Sequence, residues 1–74
     1  MVALQELGVS LIKLSATQLK QLPISETLRD ALIVAKTIHA HGGALRQRQY
    51  IGRLMRNENA EEISRALARM FPER

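Results

Sequence analysis

Apolar residues recur at steps of three and four along this chain, and that spacing constrains its fold more than any other feature. The first segment, from Val2 to Leu14, carries Leu4, Leu7, Leu11 and Leu14. Residues at these steps share one face of a helix, and that face must pack against another helix. The chain is also rich in Leu, Ala, Arg, Gln and Glu and poor in Val, Thr and aromatic residues, a composition that favours helices over strands. The sequence therefore predicts an all-α protein.

Capping signals divide the chain into helical segments. Ser15 and Gln18 have the spacing of a capping box, and Ser25 and Asn59 are further candidate N-caps. We expect a short helical turn after Ser15, a helix after Ser25 and a last helix after Asn59. Pro72 is expected to end that last helix.

A basic helical segment is expected from Ala44 to Arg56, and Gly42-Gly43 precedes it. The two glycines can either end the preceding helix or lie inside one long helix. The predicted architecture is a small bundle or an extended helical hairpin of about three to four helices. We expect residues 1–74 to form a single helical domain.

The chain has 74 residues and no cysteine, which excludes disulfides and thiolate metal sites. A chain of this length buries a modest fraction of its surface, so folding depends on helix packing, oligomerisation or a larger parent protein. No apolar run reaches the roughly 20 residues that span a bilayer. The N-terminus has no positively charged region typical of a signal peptide, so we expect a cytoplasmic protein and no membrane partner.

The stretch from Ala31 to Asn57 contains no acidic residue but five basic ones, whereas the rest of the chain holds one more acidic than basic residue. Ordinary exposed helices interleave Glu with Lys or Arg at four-residue spacing, and this stretch does not. A local excess of positive charge indicates an anionic partner, most commonly nucleic acid. Binding to a protein or to lipid headgroups, or simple solvation of the face, are the alternatives.

A helical projection places the polar groups of the basic segment within one arc of roughly 120°. Arginine can contact phosphate in a bidentate manner, glutamine can reach sugar or base edges, and tyrosine can stack or donate a hydrogen bond. The candidate nucleic-acid-binding residues are Arg46, Gln49, Tyr50, Arg53, Arg56 and, peripherally, Lys36. The opposite, apolar stripe consists of Ala44, Ile51, Leu54 and Met55, with Arg48 projecting toward its edge.

The two histidines do not form a metal-binding pair. His39 and His41 are two residues apart, so on a helix they face different directions, and the acid-free stretch supplies no carboxylate. We expect His39 to be packed on the apolar face of the third helix. No catalytic constellation, cofactor motif or glycine-rich phosphate loop is present, so no enzymatic activity is expected.

The string Gln49-Tyr-Ile-Gly-Arg-Leu-Met-Arg56 resembles a motif of the DarP/YjgA family of bacterial ribosome-associated proteins. Leu22-Pro-Ile24, Leu28-Arg-Asp-Ala31 and Ala35-Lys-Thr-Ile38 extend the resemblance, which covers about Leu4 to Met70. It implies a non-enzymatic, cofactor-free helical protein that associates with the 50S subunit precursor and its 23S rRNA and assists late maturation. Because family members are longer, it also implies that the chain is part of an N-terminal helical half. The missing C-terminal half or a second copy could complete its core.

A second interpretation is a helical protein–protein interaction module that makes no direct contact with RNA. Val9, Ile33 and Val34 lie off the main apolar stripes and motivate it. In this case the helices would dock on a partner protein or on the missing half.

Overall fold

The computed structural model describes residues 4–71, which form five helices and no strand. The helices are α1 (Leu4–Leu11), α2 (Ala16–Lys20), α3 (Glu26–Ala35), α4 (His41–Met55) and α5 (Ala60–Met70). The predicted all-α class is confirmed, and the described part of the chain is a small bundle. The predicted helix start at Val2 and the predicted stop at Pro72 lie outside the described residues.

All three predicted N-caps are confirmed. Ser15 Oγ accepts from the N–H of Gln18 at 3.1 Å, and Gln18 Oε1 accepts from the N–H of Ser15 at 2.9 Å, which completes the capping box. Ser25 Oγ accepts from the N–H three residues on at 3.2 Å. Asn59 Oδ1 accepts from the N–H of Glu62 at 3.1 Å. These local bonds fix the starts of α2, α3 and α5.

The break between α3 and α4 lies before the two glycines. α3 ends at Ala35, and α4 begins at His41, so Gly42 and Gly43 lie in the first turn of α4. Neither predicted alternative describes this arrangement. At the end of α3 the chain tightens, because the Lys36 N–H donates to Ile33 O at 3.1 Å instead of continuing the α-helical pattern.

The expected packing of His39 is wrong, since its side chain is exposed. The expectation assumed that the face of α3 continues past Ala35. Because the helix ends there, His39 lies in the connection to α4 and no longer shares that face. Ile38, by contrast, remains half-buried.

The core is formed almost entirely by aliphatic side chains from all five helices and the connections between them. Its buried members are Leu11, Leu14, Leu19, Leu22, Leu28, Ala31, Leu32, Ile51, Met55, Ile63 and Ala66. Of the predicted stripe on the first segment, Leu11 and Leu14 are buried, whereas Leu4 remains 39% exposed. α4 packs against both α1 and α3, so it is the central helix of the bundle and presents its remaining side to solvent.

Two glycines bring α1 and α4 close together. Gly8 is buried, and a Cβ placed on it would lie 2.8 Å from Ile51 Cγ2 and 2.9 Å from Met55 Cγ. On α4, a Cβ placed on Gly52 would lie 3.1 Å from Gln5 Cγ. A side chain at either glycine would push the two helices or their side chains apart. The close pairing of α1 and α4 positions the candidate site.

Candidate nucleic-acid interface

The outward side of α4 carries the predicted basic face. Only Ile51 and Met55 of α4 are buried, and the predicted Ala44 and Leu54 are half-buried. The predicted candidates on α4 and at its C-cap are all exposed: Arg46, Gln49, Tyr50, Arg53 and Arg56. These exposed residues lie away from the buried Ile51 and Met55, and their role in binding stays a prediction.

The arginines of α4 have no acidic partner within the described part of the chain. Over residues 4–71 the ion pairs are Arg29 with Glu26 and Arg65 with Glu61, each at 3.8 Å. Both pairs lie within single helices, α3 and α5, and neither involves α4. The positive charge of α4 is thus left uncompensated, which suits it to an external anion.

Part of the basic face borders a groove between α1 and α4, which we call the α1–α4 groove. It has a volume of about 440 Å³ and is lined by Leu4, Gln5, Gln49, Gly52, Arg53 and Arg56. Three of the predicted residues are therefore brought together in one concave surface. Among the described residues that line it, none is acidic, so an anion entering it meets hydrogen-bond donors and neutral groups.

Tyr50 lies on the other flank of α4, toward α3. It borders a separate shallow depression with Thr27, Asp30, Ala31, Val34 and Gln47. There the Gln47 side-chain amide donates to the Ala31 carbonyl at 2.9 Å and ties α4 to α3. Because this depression contains the carboxylate of Asp30, its charge differs from that of the α1–α4 groove. Arg46 lines neither surface.

Lys36 is placed differently from the α4 residues. Its Nζ donates to the Ile12 carbonyl at 2.8 Å, just beyond the C-terminal end of α1. A cation there stabilises the free carbonyls at a helix end. Its side chain therefore has a structural contact that the sequence did not indicate.

Two further side chains differ from sequence expectations. Gln5 was not among the candidates, yet it forms part of the α1–α4 groove. A projection of α1 places it about 100° from Leu4, off the apolar stripe, so only the packing of α1 on α4 brings it to the site. Arg48 is fully on the surface, because residues 41–50 of α4 contribute no buried side chain.

Within residues 4–71, no three His, Asp or Glu side chains are grouped so that they could hold a metal ion. Among the same residues, no helix is both long and apolar enough to cross a membrane.

Comparison with known proteins identifies the family. The sequence profile of the family described as dual-action ribosomal maturation protein DarP matches residues 1–73. A curated relative of that name from Aromatoleum aromaticum is 46% identical over 65 residues, covering 88% of this chain and 34% of the relative. No solved structure matches this chain.

Relatives from two other bacteria carry the same name. The protein from Nitrosospira multiformis is 43% identical over 88% of this chain and 36% of its own length. The protein from Idiomarina loihiensis is 44% identical over 85% of this chain and 37% of its own length. The chain thus spans about a third of the length of these relatives. The resemblance carried by Gln49–Arg56 is confirmed, and the chain belongs to the DarP family of dual-action ribosomal maturation proteins.

Proposed function

We propose that this chain is an rRNA-binding part of a protein that assists late maturation of the bacterial 50S ribosomal subunit in the cytoplasm. The names of its relatives support a role in ribosome maturation. The observation that carries the RNA-binding step is the exposed arginine face of α4, which has no acidic partner within residues 4–71. In this proposal the chain binds and needs neither a cofactor nor a catalytic group.

The proposed phosphate contacts are made by Arg46, Arg53 and Arg56. An α-helix rises 1.5 Å per residue, so these guanidinium groups are distributed along about 15 Å of α4. Gln49 and Tyr50 lie between them in sequence and would reach sugar or base edges. Lys36 would contribute a peripheral charge, because its ammonium group already donates to the Ile12 carbonyl.

Charge reversal of Arg53→Glu with Arg56→Glu tests the proposal. Both side chains are exposed, so we expect the helical circular dichroism signal to be retained. Co-sedimentation with large-subunit precursors should fall by about tenfold or more, since two attractive phosphate contacts become repulsive.

The matched control is Arg65→Glu with Arg69→Glu on α5, where both arginines are also exposed. It applies the same change of net charge to a different helix. The proposal predicts a much smaller loss of sedimentation for this control. If both double variants lose co-sedimentation equally, the effect depends on net charge alone, and the proposal of a binding face on α4 is wrong.

The second candidate function is docking on a partner protein, and the exposure of Val34 favours it. Val34 is 49% exposed beside Tyr50, whereas Ile33 and Val9 are half-buried, and Ile33 packs against the core. Val34→Asp is therefore the clean probe of this surface. If ribosome association fails on Val34→Asp and survives the reversal of Arg53 and Arg56, docking replaces RNA binding. The partner, either a segment like the remainder of the longer relatives or a second copy of this chain, would then be identified by adding each in turn.

A further inference from the structure

The α1–α4 groove combines two kinds of side chain in one concave surface. Arg53 and Arg56 supply charged donors, while Gln5 from α1 and Gln49 from α4 supply neutral amides. Among residues 4–71, neither of these two amides makes a hydrogen bond to another protein group. Both remain available to a ligand.

We propose that the α1–α4 groove binds the RNA backbone and recognises the ribose 2′-hydroxyl through the amides of Gln5 and Gln49. This inference rests on the proposed function and adds the feature by which the site distinguishes RNA from DNA. A 2′-hydroxyl both donates and accepts a hydrogen bond, and so does a side-chain amide. A guanidinium only donates, and the phosphates it contacts are common to RNA and DNA.

The absence of a side chain at Gly52 leaves room for Gln5. The point where a Cβ of Gly52 would stand lies 3.1 Å from Gln5 Cγ, 3.2 Å from Gln5 Cβ and 3.5 Å from Gln5 Cδ. The stem of Gln5 therefore lies along the α4 backbone, in the space that a larger residue at position 52 would occupy. Gly52 thereby leaves room for the Gln5 side chain to lie beside the groove.

The separate roles of the arginines and the glutamine amides predict two different effects of mutation on binding. Removing an arginine weakens binding to RNA and DNA alike and lowers the salt dependence, because a phosphate contact is lost. Removing an amide weakens binding to RNA alone and leaves the salt dependence unchanged, because no ion is displaced by a neutral contact.

The test measures binding of a labelled RNA hairpin and of a DNA hairpin of the same sequence by fluorescence anisotropy at two salt concentrations. Gln5→Ala should weaken RNA binding by about 2–10-fold, which corresponds to one net hydrogen bond. DNA affinity and the salt slope should stay as in the parent chain. Gln21→Ala removes an exposed glutamine outside the groove and should change neither affinity.

Gly52→Ala provides an independent variant of the same contact. Its methyl group would press on the Gln5 stem, which is flexible, so the fold should persist and RNA preference should fall as it does for Gln5→Ala. Equal losses on RNA and DNA, or no loss for Gln5→Ala while the parent chain binds RNA, overturn the 2′-hydroxyl contact and leave the proposed function standing. Absence of RNA binding by the parent chain overturns both.

Discussion

Gly8 of α1 lies directly against Ile51 of α4, so that a Cβ on Gly8 would stand 2.8 Å from Ile51 Cγ2. Ile51 is fully buried and has little freedom to move away. A glycine inside a helix costs about 0.5–1 kcal/mol relative to alanine. At Gly8 this cost is offset by the close packing of two helices that it permits.

Gly8→Ala should therefore lower the free energy of unfolding by about 1–3 kcal/mol, the usual effect of overfilling a packed core. Gly42→Ala is the matched control, because a Cβ there meets nothing within 4 Å and its φ is not positive. That substitution should instead stabilise the chain by about 0.5–1 kcal/mol. Urea unfolding followed by circular dichroism measures both. A stabilising Gly8→Ala would mean that α1 and α4 are farther apart than described.

Ser25 joins the start of α3 to the turn before α5. Its hydroxyl donates to Glu58 Oε2 at 2.6 Å and accepts from the Leu28 N–H at 3.2 Å. Ser25→Ala removes both bonds and should cost about 1–2 kcal/mol of unfolding free energy. Ser64→Ala, an exposed serine of α5, should stay within about 0.5 kcal/mol of the parent.

A double-mutant cycle separates the cap from the long-range bond. If Ser25 and Glu58 interact as described, the costs of Ser25→Ala and Glu58→Ala will not add. Strict additivity of the two substitutions would show that the cap alone accounts for the effect of Ser25.

The salt dependence of RNA binding should show how many phosphate contacts each arginine makes. Each of Arg53→Gln and Arg56→Gln is expected to reduce the slope of log K against log salt by about 0.7–0.9, the value for one phosphate contact. Arg65→Gln, on α5, should leave the slope unchanged. Identical slopes for all three variants would show that Arg53 and Arg56 contact phosphate no more than Arg65 does.

Lys36 should affect stability more than RNA binding. Lys36→Ala removes the bond from Nζ to the Ile12 carbonyl and should cost about 0.5–1 kcal/mol of unfolding free energy. Lys13→Ala is the control, since Lys13 is an exposed lysine near the same helix end. In thermal unfolding we expect Lys36→Ala to melt at a lower temperature than Lys13→Ala, while the salt slopes of RNA binding stay similar for the two variants. A drop in slope for Lys36→Ala as large as that for Arg53→Gln would instead make Lys36 a full phosphate contact.

Local signals in the sequence predicted local structure well. The caps at Ser15, Ser25 and Asn59 depend on residues three apart, and all three form as expected. The break after Ala35 was not predicted, because the apolar spacing continues to Ile38 and no glycine or proline stands next to Ala35. The Lys36 side chain, just beyond this end, bonds to the Ile12 carbonyl, and a contact between residues so far apart in sequence leaves no periodic trace.

The candidate site was predicted only in part for a similar reason. The periodicity of α4 alone places Arg53 and Arg56 on its outer face. It does not reveal which side of α1 faces α4, so Gln5 could not be added to the site. It also could not show that Tyr50 lies on the flank toward α3, apart from Gln49.

The uneven burial of α4 divides its arginines into two thermodynamic classes. Residues 41–50 contribute no buried side chain, whereas Ile51 and Met55 anchor the second part of the helix. Amide hydrogen exchange should therefore be fast around Arg46 and slow around Arg53. The turn that carries Arg46 is held to α3 by the Gln47 bond and not by a buried side chain, so a phosphate bound there is expected to meet a less rigid surface than one bound by Arg53 or Arg56. The two ends of the same basic face would then differ in affinity although their side chains are alike.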